Sequence, residues 1–188
     1  MFFKTIKLLF HFIFGNTVAR FAYDRRMFKS RWYSKPWSDG WTWLTRCFIT
    51  QKIIGYNRNV PWPCTSSMLV VKPENIIFHP DDLNNFVTTG CYFQAIGKII
   101  IGKGTFIAPN VGIITQNHDL EDPDKRGVAK DVVFGEKCWI GMNSMILPGV
   151  HLGPHTIVGA GSVVTKSFEE GYCVIAGNPA KVIKKITQ

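Results

Sequence analysis

FGEKCWIGMNSMILPGVHLGPHTIVGAGSVVT, residues 134–165, repeats itself every six residues. Phe134, Ile140, Ile146, Leu152, Val158 and Val164 share one phase, and Gly135, Gly141, Gly153 and Gly159 stand beside four of them. Four residues after each of the first five come Cys138, Ser144, Val150, Thr156 and Ser162, all small or β-branched. An alternating strand has period two and an amphipathic helix 3.6, so neither produces this register. A chain that turns a corner about every six residues does, with three short strands making one triangular coil. One aliphatic side chain per face then points to the axis, and a small neighbour permits the corner. Stacked coils bury a continuous apolar column that no single coil could bury.

Upstream, IGKGTFIAPNVGIITQNH, residues 101–118, carries the same pattern through Ile101, Ile107 and Ile113, with Gly102 and Ala108 beside the first two. The two runs are out of phase, because positions 113 and 134 are 21 apart, which is not a multiple of six. Something must leave the coil between them. DLEDPDKRGVAKDV, residues 119–132, is polar and contains Pro123 and Gly127, and it reads as an extruded loop beginning immediately after His118. A loop of that length in a compact repeat array is typically functional or disordered. Before Ile96 the register is loose, with VVKPENIIFHP and CYFQAIGK as atypical starting coils. These signals set the β-helix at residues 68–188 and an arm at residues 1–67. Past Ser167, AGNPAKVIKKITQ reads as a turn at Pro179 and a basic tail.

The formal charge of +9 belongs to the arm: residues 1–60 hold 11 Lys and Arg against 2 Asp and Glu, whereas residues 61–188 hold 11 of each sign. Extended to Trp62, the arm also has five of the six tryptophans, Trp32, Trp37, Trp41, Trp43 and Trp62. Basic residues interleaved with aromatics suit an anionic membrane surface. Nucleic acid would feel the same charge, but no nucleic-acid motif accompanies it, so none is expected as a partner. MFFKTIKLLFHFIF at the start reads as a short amphipathic helix, with Lys4, Lys7 and His11 on one face. Its roughly 14 residues fall short of the ~20 that span a bilayer, and Thr17-Val18-Ala19 makes a poor signal-peptide cleavage site. Packing on the protein's own core or on a neighbouring subunit competes evenly with interfacial membrane binding for this helix. The five cysteines, Cys47, Cys64, Cys91, Cys138 and Cys173, are odd in number and lack a CxxC pair, so they point to neither a disulfide framework nor a zinc knuckle. A reducing cytoplasmic compartment fits them, with peripheral contact at the inner face of the membrane as the arm's contribution.

Taken in order, the repeats, the QNHDL segment, CWIGMNSMILPGV, GAGSVVTK and AGNPAKVIKKI resemble the hexapeptide-repeat acyltransferases, most closely the branch that O-acetylates sugars and capsular or other surface polysaccharides. The resemblance covers roughly residues 70–188. It implies an all-β, left-handed parallel β-helix, an exception to the usual right-handed crossover. It also implies a homotrimer, acetyl-CoA as co-substrate and a saccharide or lipid-linked saccharide as acceptor.

Acetyl transfer from a thioester to an alcohol needs a base for the hydroxyl proton, and His118 corresponds to the catalytic histidine of similar enzymes. Neutral imidazole suits that role near pH 7. Asp119 is the first candidate to hold the second ring nitrogen, with Asp131 or a backbone carbonyl as alternatives. Asn117 is placed to orient an acceptor hydroxyl, or else sits in a turn, and Trp139 stacks on ligand or packs at an interface. In similar sugar acetyltransferases the oxyanion donors come from the coil of a neighbouring subunit beside the histidine, which here maps to Trp139-Ile140-Gly141-Met142; since the Met142 side chain cannot donate, the donor there must be backbone N–H. Small residues around Ala160 fit a groove for the pantetheine arm, and Lys166 and Lys181 fit the coenzyme's phosphates. No metal is expected. A zinc hydratase of the carbonic-anhydrase type would draw on His118, His151 and His155, but His151 and His155 are four apart where that arrangement uses a pair five apart. A non-catalytic β-helix scaffold is the other rival reading. The fold itself does not choose the acceptor.

Overall fold

The computed structural model describes residues 2–187, with side chains from residue 5 onward; Lys4, which the sequence sets on the polar helix face, lies outside the described side chains. Among the described residues, fourteen short strands, numbered in chain order, form three sheets. The first contains β1 (Leu69–Val70), β3 (Tyr92–Phe93), β6 (Gly112–Ile113), β9 (Met145–Ile146) and β12 (Val163–Val164). The second contains β2 (Ile76–Phe78), β4 (Ile99–Ile101), β7 (Val132–Phe134) and β10 (His151–Leu152). The third contains β5 (Phe106–Ile107), β8 (Trp139–Ile140), β11 (Thr156–Val158), β13 (Cys173–Gly177) and β14 (Ala180–Lys185). The chain visits the sheets in rotation, and every pairing is parallel except that of β13 with β14. This is the three-sided prism of a left-handed parallel β-helix.

The six-residue phase is the axis of that prism. Ile101, Ile107, Ile113, Phe134, Ile140, Ile146, Leu152, Val158 and Val164 are all buried and stack between the sheets. Each such side chain removed from water contributes roughly 1.5–3 kcal/mol. The glycines beside them serve a purpose other than turning the corner. A Cβ on Gly102 would stand 2.4 Å from the Gly135 carbonyl carbon, and one on Gly135 would stand 2.6 Å from Pro154 N. Close stacking of successive coils, not a left-handed backbone, excludes a side chain there. The left-handed backbone occurs at other corner positions, including Asn110, Asn143 and Gly161.

The first coil is atypical in a specific way: a 3₁₀ segment, Pro80–Phe86, replaces the strand that would have preceded β5. Its side chains do a strand's work at the sheet edge. Asn85 accepts from Ile107 N at 2.9 Å and donates to Thr105 O at 2.9 Å, and Asp82 accepts from Gly104 N at 3.0 Å. At the other end, the chain expected to run out as a basic tail pairs antiparallel with β13 as β14. That strand was invisible to hydrophobic patterning because all its residues after Ala180 are exposed, so that backbone pairing and one surface ion pair, Lys185 with Glu170, hold it rather than apolar burial.

The arm folds over the open N-terminal end of the prism. Its helices are α1 (Phe2–Thr17) and α2 (Asp39–Phe48), the latter continuing into a π-helical turn, Ile49–Ile54. Trp41 meets Phe12, Phe28 and Tyr33 with ring centroids 5.1, 6.2 and 5.0 Å away, while Trp62, Phe78 and Phe86 close the end of the column above Phe93. One hydrophobic cluster therefore runs from Ala19 to Ala180. Of the five arm tryptophans, Trp37 alone is exposed; Trp41 and Trp62 are buried and Trp32 and Trp43 half-buried. No helix among the described residues is long and apolar enough to cross a membrane. All five cysteines are buried as free thiols, and burial pushes Cys47 up to about 12.

Candidate active site

The loop leaves the prism after β6 and returns at β7, at the corner between the first and second sheets. Ile101 and Phe134 pair directly, so the 21 residues from Ile113 to Phe134 replace an ordinary step of six. The loop's base is clamped by Lys130 N donating to Thr115 O at 2.7 Å, and by Gln94 Oε1 accepting from Thr115 N and Gln116 N at 2.9 and 2.8 Å. Above that base the loop is a narrow antiparallel ribbon. Gly127 N donates to Asn117 O at 3.0 Å, Asp119 N to Lys125 O at 3.1 Å, and His118 bridges Arg126.

His118 sits exposed on this ribbon with both ring nitrogens engaged. Nδ1 faces the Pro123 carbonyl, and Arg126 Nη1 lies 2.6 Å from Nε2. A carbonyl only accepts and a guanidinium only donates, so both contacts select one tautomer: neutral imidazole with its proton on Nδ1 and its lone pair on Nε2. That is the form a general base requires. Of the three orienting groups open from sequence, the structure supplies the backbone carbonyl. Asp119 does not touch the ring; its carboxylate accepts from Glu121 N and Asp122 N at 2.9 and 3.1 Å and so shapes the turn that brings Pro123 back. Asp131 accepts from Lys98 N at 2.7 Å instead. Arg126 is the contact that sequence reading missed. Its signal was there in the eight-residue spacing around a Pro-containing turn, the spacing of a ribbon's opposed positions.

The other candidates lie on different edges. Gly141, Met142 and Ala160 stack at the corner between the third and first sheets, where Gly161 N donates to Met142 O at 2.8 Å and a Cβ on Gly141 would stand 2.6 Å from Ala160 N. Gly141 N is committed to Val158 O at 2.9 Å. Lys181, opposite Ala176 on β14, flanks this column, since Ala176 stacks on Gly159. Lys166 is instead at the loop's own corner, with Nζ 5.8 Å from the Phe168 ring. Trp139 projects half-exposed from the third sheet in register with Phe106 and Ile157, and Asn117 is exposed beside His118. One chain thus sets His118 and the Gly141–Met142–Ala160 column on separate edges of the prism. Nor does one chain gather the three histidines a zinc site would draw on: His151 is on β10, His155 stacks on Tyr172 at 4.9 Å, and no group of three His, Cys, Asp or Glu able to hold a metal occurs among the described residues.

Fold and repeat together set the comparison: the coil resembles that of hexapeptide-repeat acetyltransferases of known structure. Residues 131–166 match the family described as bacterial transferase hexapeptide (six repeats). The chain is 37% identical over 124 residues to the "Putative lipopolysaccharide biosynthesis O-acetyl transferase WbbJ" of Escherichia coli K12, covering 58% of this chain and 61% of that protein. Among solved structures it resembles a maltose O-acetyltransferase from Clostridium difficile 630, with 39% identity, a TM-score of 0.50, and coverage of 52% of this chain and 54% of that one. It also resembles a galactoside acetyltransferase in complex with coenzyme A, with 27% identity, a TM-score of 0.57, and coverage of 67% and 62%. The chain spans about half the length of the first curated relatives it matches.

Proposed function

We propose that this protein transfers an acetyl group from acetyl-CoA to a saccharide hydroxyl, with His118 as general base. The observation that carries the reading is the His118 ring, held by a backbone carbonyl in the one tautomer that leaves Nε2 able to take a proton. In this reading the acceptor hydroxyl displaces Arg126 from Nε2 and gives up its proton there as its oxygen attacks the thioester carbonyl. The oxyanion collapses, the C–S bond breaks, and the imidazolium returns the proton to the departing thiolate. Asp119 acts as a positioning residue through the turn it caps, and Asn117 meets the acceptor.

With Gly141 N–H spent on Val158, the Met142 N–H is the oxyanion donor of choice. Since that donor and His118 sit on different edges of one prism, the reading requires a second copy to bring them together, as in the homotrimer that the family resemblance implies. Leu120 and Val128, almost fully exposed on an ordered ribbon, support such a neighbour. The groove beside Ala160 takes the pantetheine arm, Lys181 and Lys166 take phosphates, and Trp139 lies beside the ligand. Residues 68–188 form the catalytic unit, and residues 1–67 hold it at the inner face of the membrane, where a lipid-linked precursor of a surface polysaccharide would be presented. The similarity to the Escherichia coli protein supports that acceptor class.

The test is thiol release from acetyl-CoA in the presence of a saccharide panel, with His118→Ala beside the wild type. We expect acceptor-dependent release that falls by ~10²–10⁴-fold in the variant with fold and oligomer intact. Release unchanged in the variant removes His118 as the base, and no release with any acceptor returns the scaffold reading to first place.

A further inference from the structure

The groove between α1 and α2 holds a polar cluster for which acetyl transfer has no use. Lys7 and His11 lie one turn apart on α1, and Thr42 and Arg46 one turn apart on α2; with Leu8 they line a cleft of about 210 Å³. His11 is only 8% exposed, and neither of its ring nitrogens has a hydrogen-bond partner among the described residues. Native structures seldom leave such a group orphaned, and an orphan at a cleft marks a place for a ligand. Burial, reinforced by Lys7 and Arg46, holds the imidazole below its ordinary pKa, and even the neutral ring keeps one N–H to give.

The rest of the lining has the same sense. Lys7 and Arg46 are exposed, neither is ion-paired among the described residues, and no carboxylate borders the cleft. An ammonium, a guanidinium fork, an imidazole and a hydroxyl line the cleft, a set of donors that matches the oxygens of a phosphate. Free phosphate would need nothing more, but the cleft has a neighbour: Ile6, Leu9, Phe10 and Ile13 form an apolar face of α1, each about half exposed. A charged grip flanked by an unpartnered apolar helix face is the layout of an amphiphile's site.

We propose that the α1–α2 cleft binds the phosphate of an anionic membrane lipid, Lys7 and Arg46 gripping its oxygens and His11 donating to one, while Ile6, Leu9, Phe10 and Ile13 enter the acyl region. This deepens the membrane contact assigned to the arm and is independent of acetyl transfer. The test uses the full chain with vesicles of phosphatidylcholine, alone or doped with phosphatidic acid. Lys7→Ala/Arg46→Ala is compared with Arg25→Ala/Lys29→Ala, which removes the same charge from exposed positions elsewhere on the arm. General attraction of basic residues to such a surface weakens binding in both variants, and a specific site requires the first to lose at least ~tenfold more than the second. His11 ring resonances should also shift with short-chain phosphatidic acid and not with inorganic phosphate. Equal losses in the two variants, or a silent His11 ring, overturn the site; an equal response to inorganic phosphate overturns the lipid as its ligand. Wild-type protein that ignores doped vesicles sinks the membrane contact as well.

Discussion

The coil and the arm bury comparable kinds of side chain by opposite means. In the coil each inward residue meets its equivalents one coil above and below, so the packing problem is solved once and repeated, from Ile101 to Val164. In the arm each contact is individual: Gly15 lies under the Trp41 ring, so close that a Cβ would stand 2.8 Å from it, while Trp32 packs on Trp43 with centroids 4.6 Å apart. Polar contacts divide the same way. Backbone ladders satisfy the coil, whereas the arm hangs on Gln51, fully buried, which accepts from Tyr23 Oη and Cys64 N at 2.9 Å and donates to Asn57 O and Trp62 O at 3.1 and 3.2 Å. Repetition yields stability that is distributed; individual contacts yield stability that is concentrated in a few residues.

The sharpest attempt to break this contrast sets Trp41→Ala against Ile140→Ala, expected to cost ~3–5 and ~2–5 kcal/mol respectively. Because one apolar cluster joins the two regions, calorimetry should show a single transition lowered by either change; a separate early transition in Trp41→Ala alone would make the arm an independent unit. Next in size is Gln51→Leu, which keeps the volume and orphans the Tyr23 hydroxyl, the Cys64 amide and the Trp62 carbonyl, while the Asn57 carbonyl keeps its bond from Val60 N. A loss of at least ~1–3 kcal/mol in a urea titration is expected, and no loss would mean that aromatic packing alone holds the arm. The smallest effect concerns Asp82, in the 3₁₀ segment that closes the first coil. Burial raises its carboxyl above the ordinary value despite the Gly104 N–H that opposes the shift. The folded state therefore holds a proton longer than the unfolded state does. Wild-type stability relative to Asp82→Asn should decline as pH rises from the ordinary aspartate range through the raised value, then level off. Melting temperatures of the pair that stay parallel across that range would show that the cap is not strained by charge.

The same contrast explains what could be read from the residues alone. Six-residue periodicity announces itself because every coil needs an aliphatic residue at the same phase, and the phase slip between Ile113 and Phe134 discloses the extruded loop. The arm's helix at the start was legible from its amphipathic spacing, but the burial of Trp41 and Trp62 was not, since nothing periodic distinguishes an aromatic that packs inward from one that faces a membrane. At the site, His118 stood out by its place at the loop's edge. Its ring partner did not, because the Pro123 carbonyl is a backbone group that sequence cannot single out, and the nearby Asp119 was the more visible acceptor. β14 escaped notice for a related reason: a strand held mainly by backbone pairing leaves no hydrophobic pattern in its side chains.

The clamp between Lys130 N and Thr115 O has a consequence beyond the site it supports. It returns the chain to the lattice within one hydrogen bond of where it left, so the prism is indifferent to how many residues intervene, and lengthening the excursion costs only the slow logarithm of loop closure. The ribbon is thus a cassette. A lineage can recut the ribbon, in length as well as in sequence, while the architecture that carries it stays unchanged.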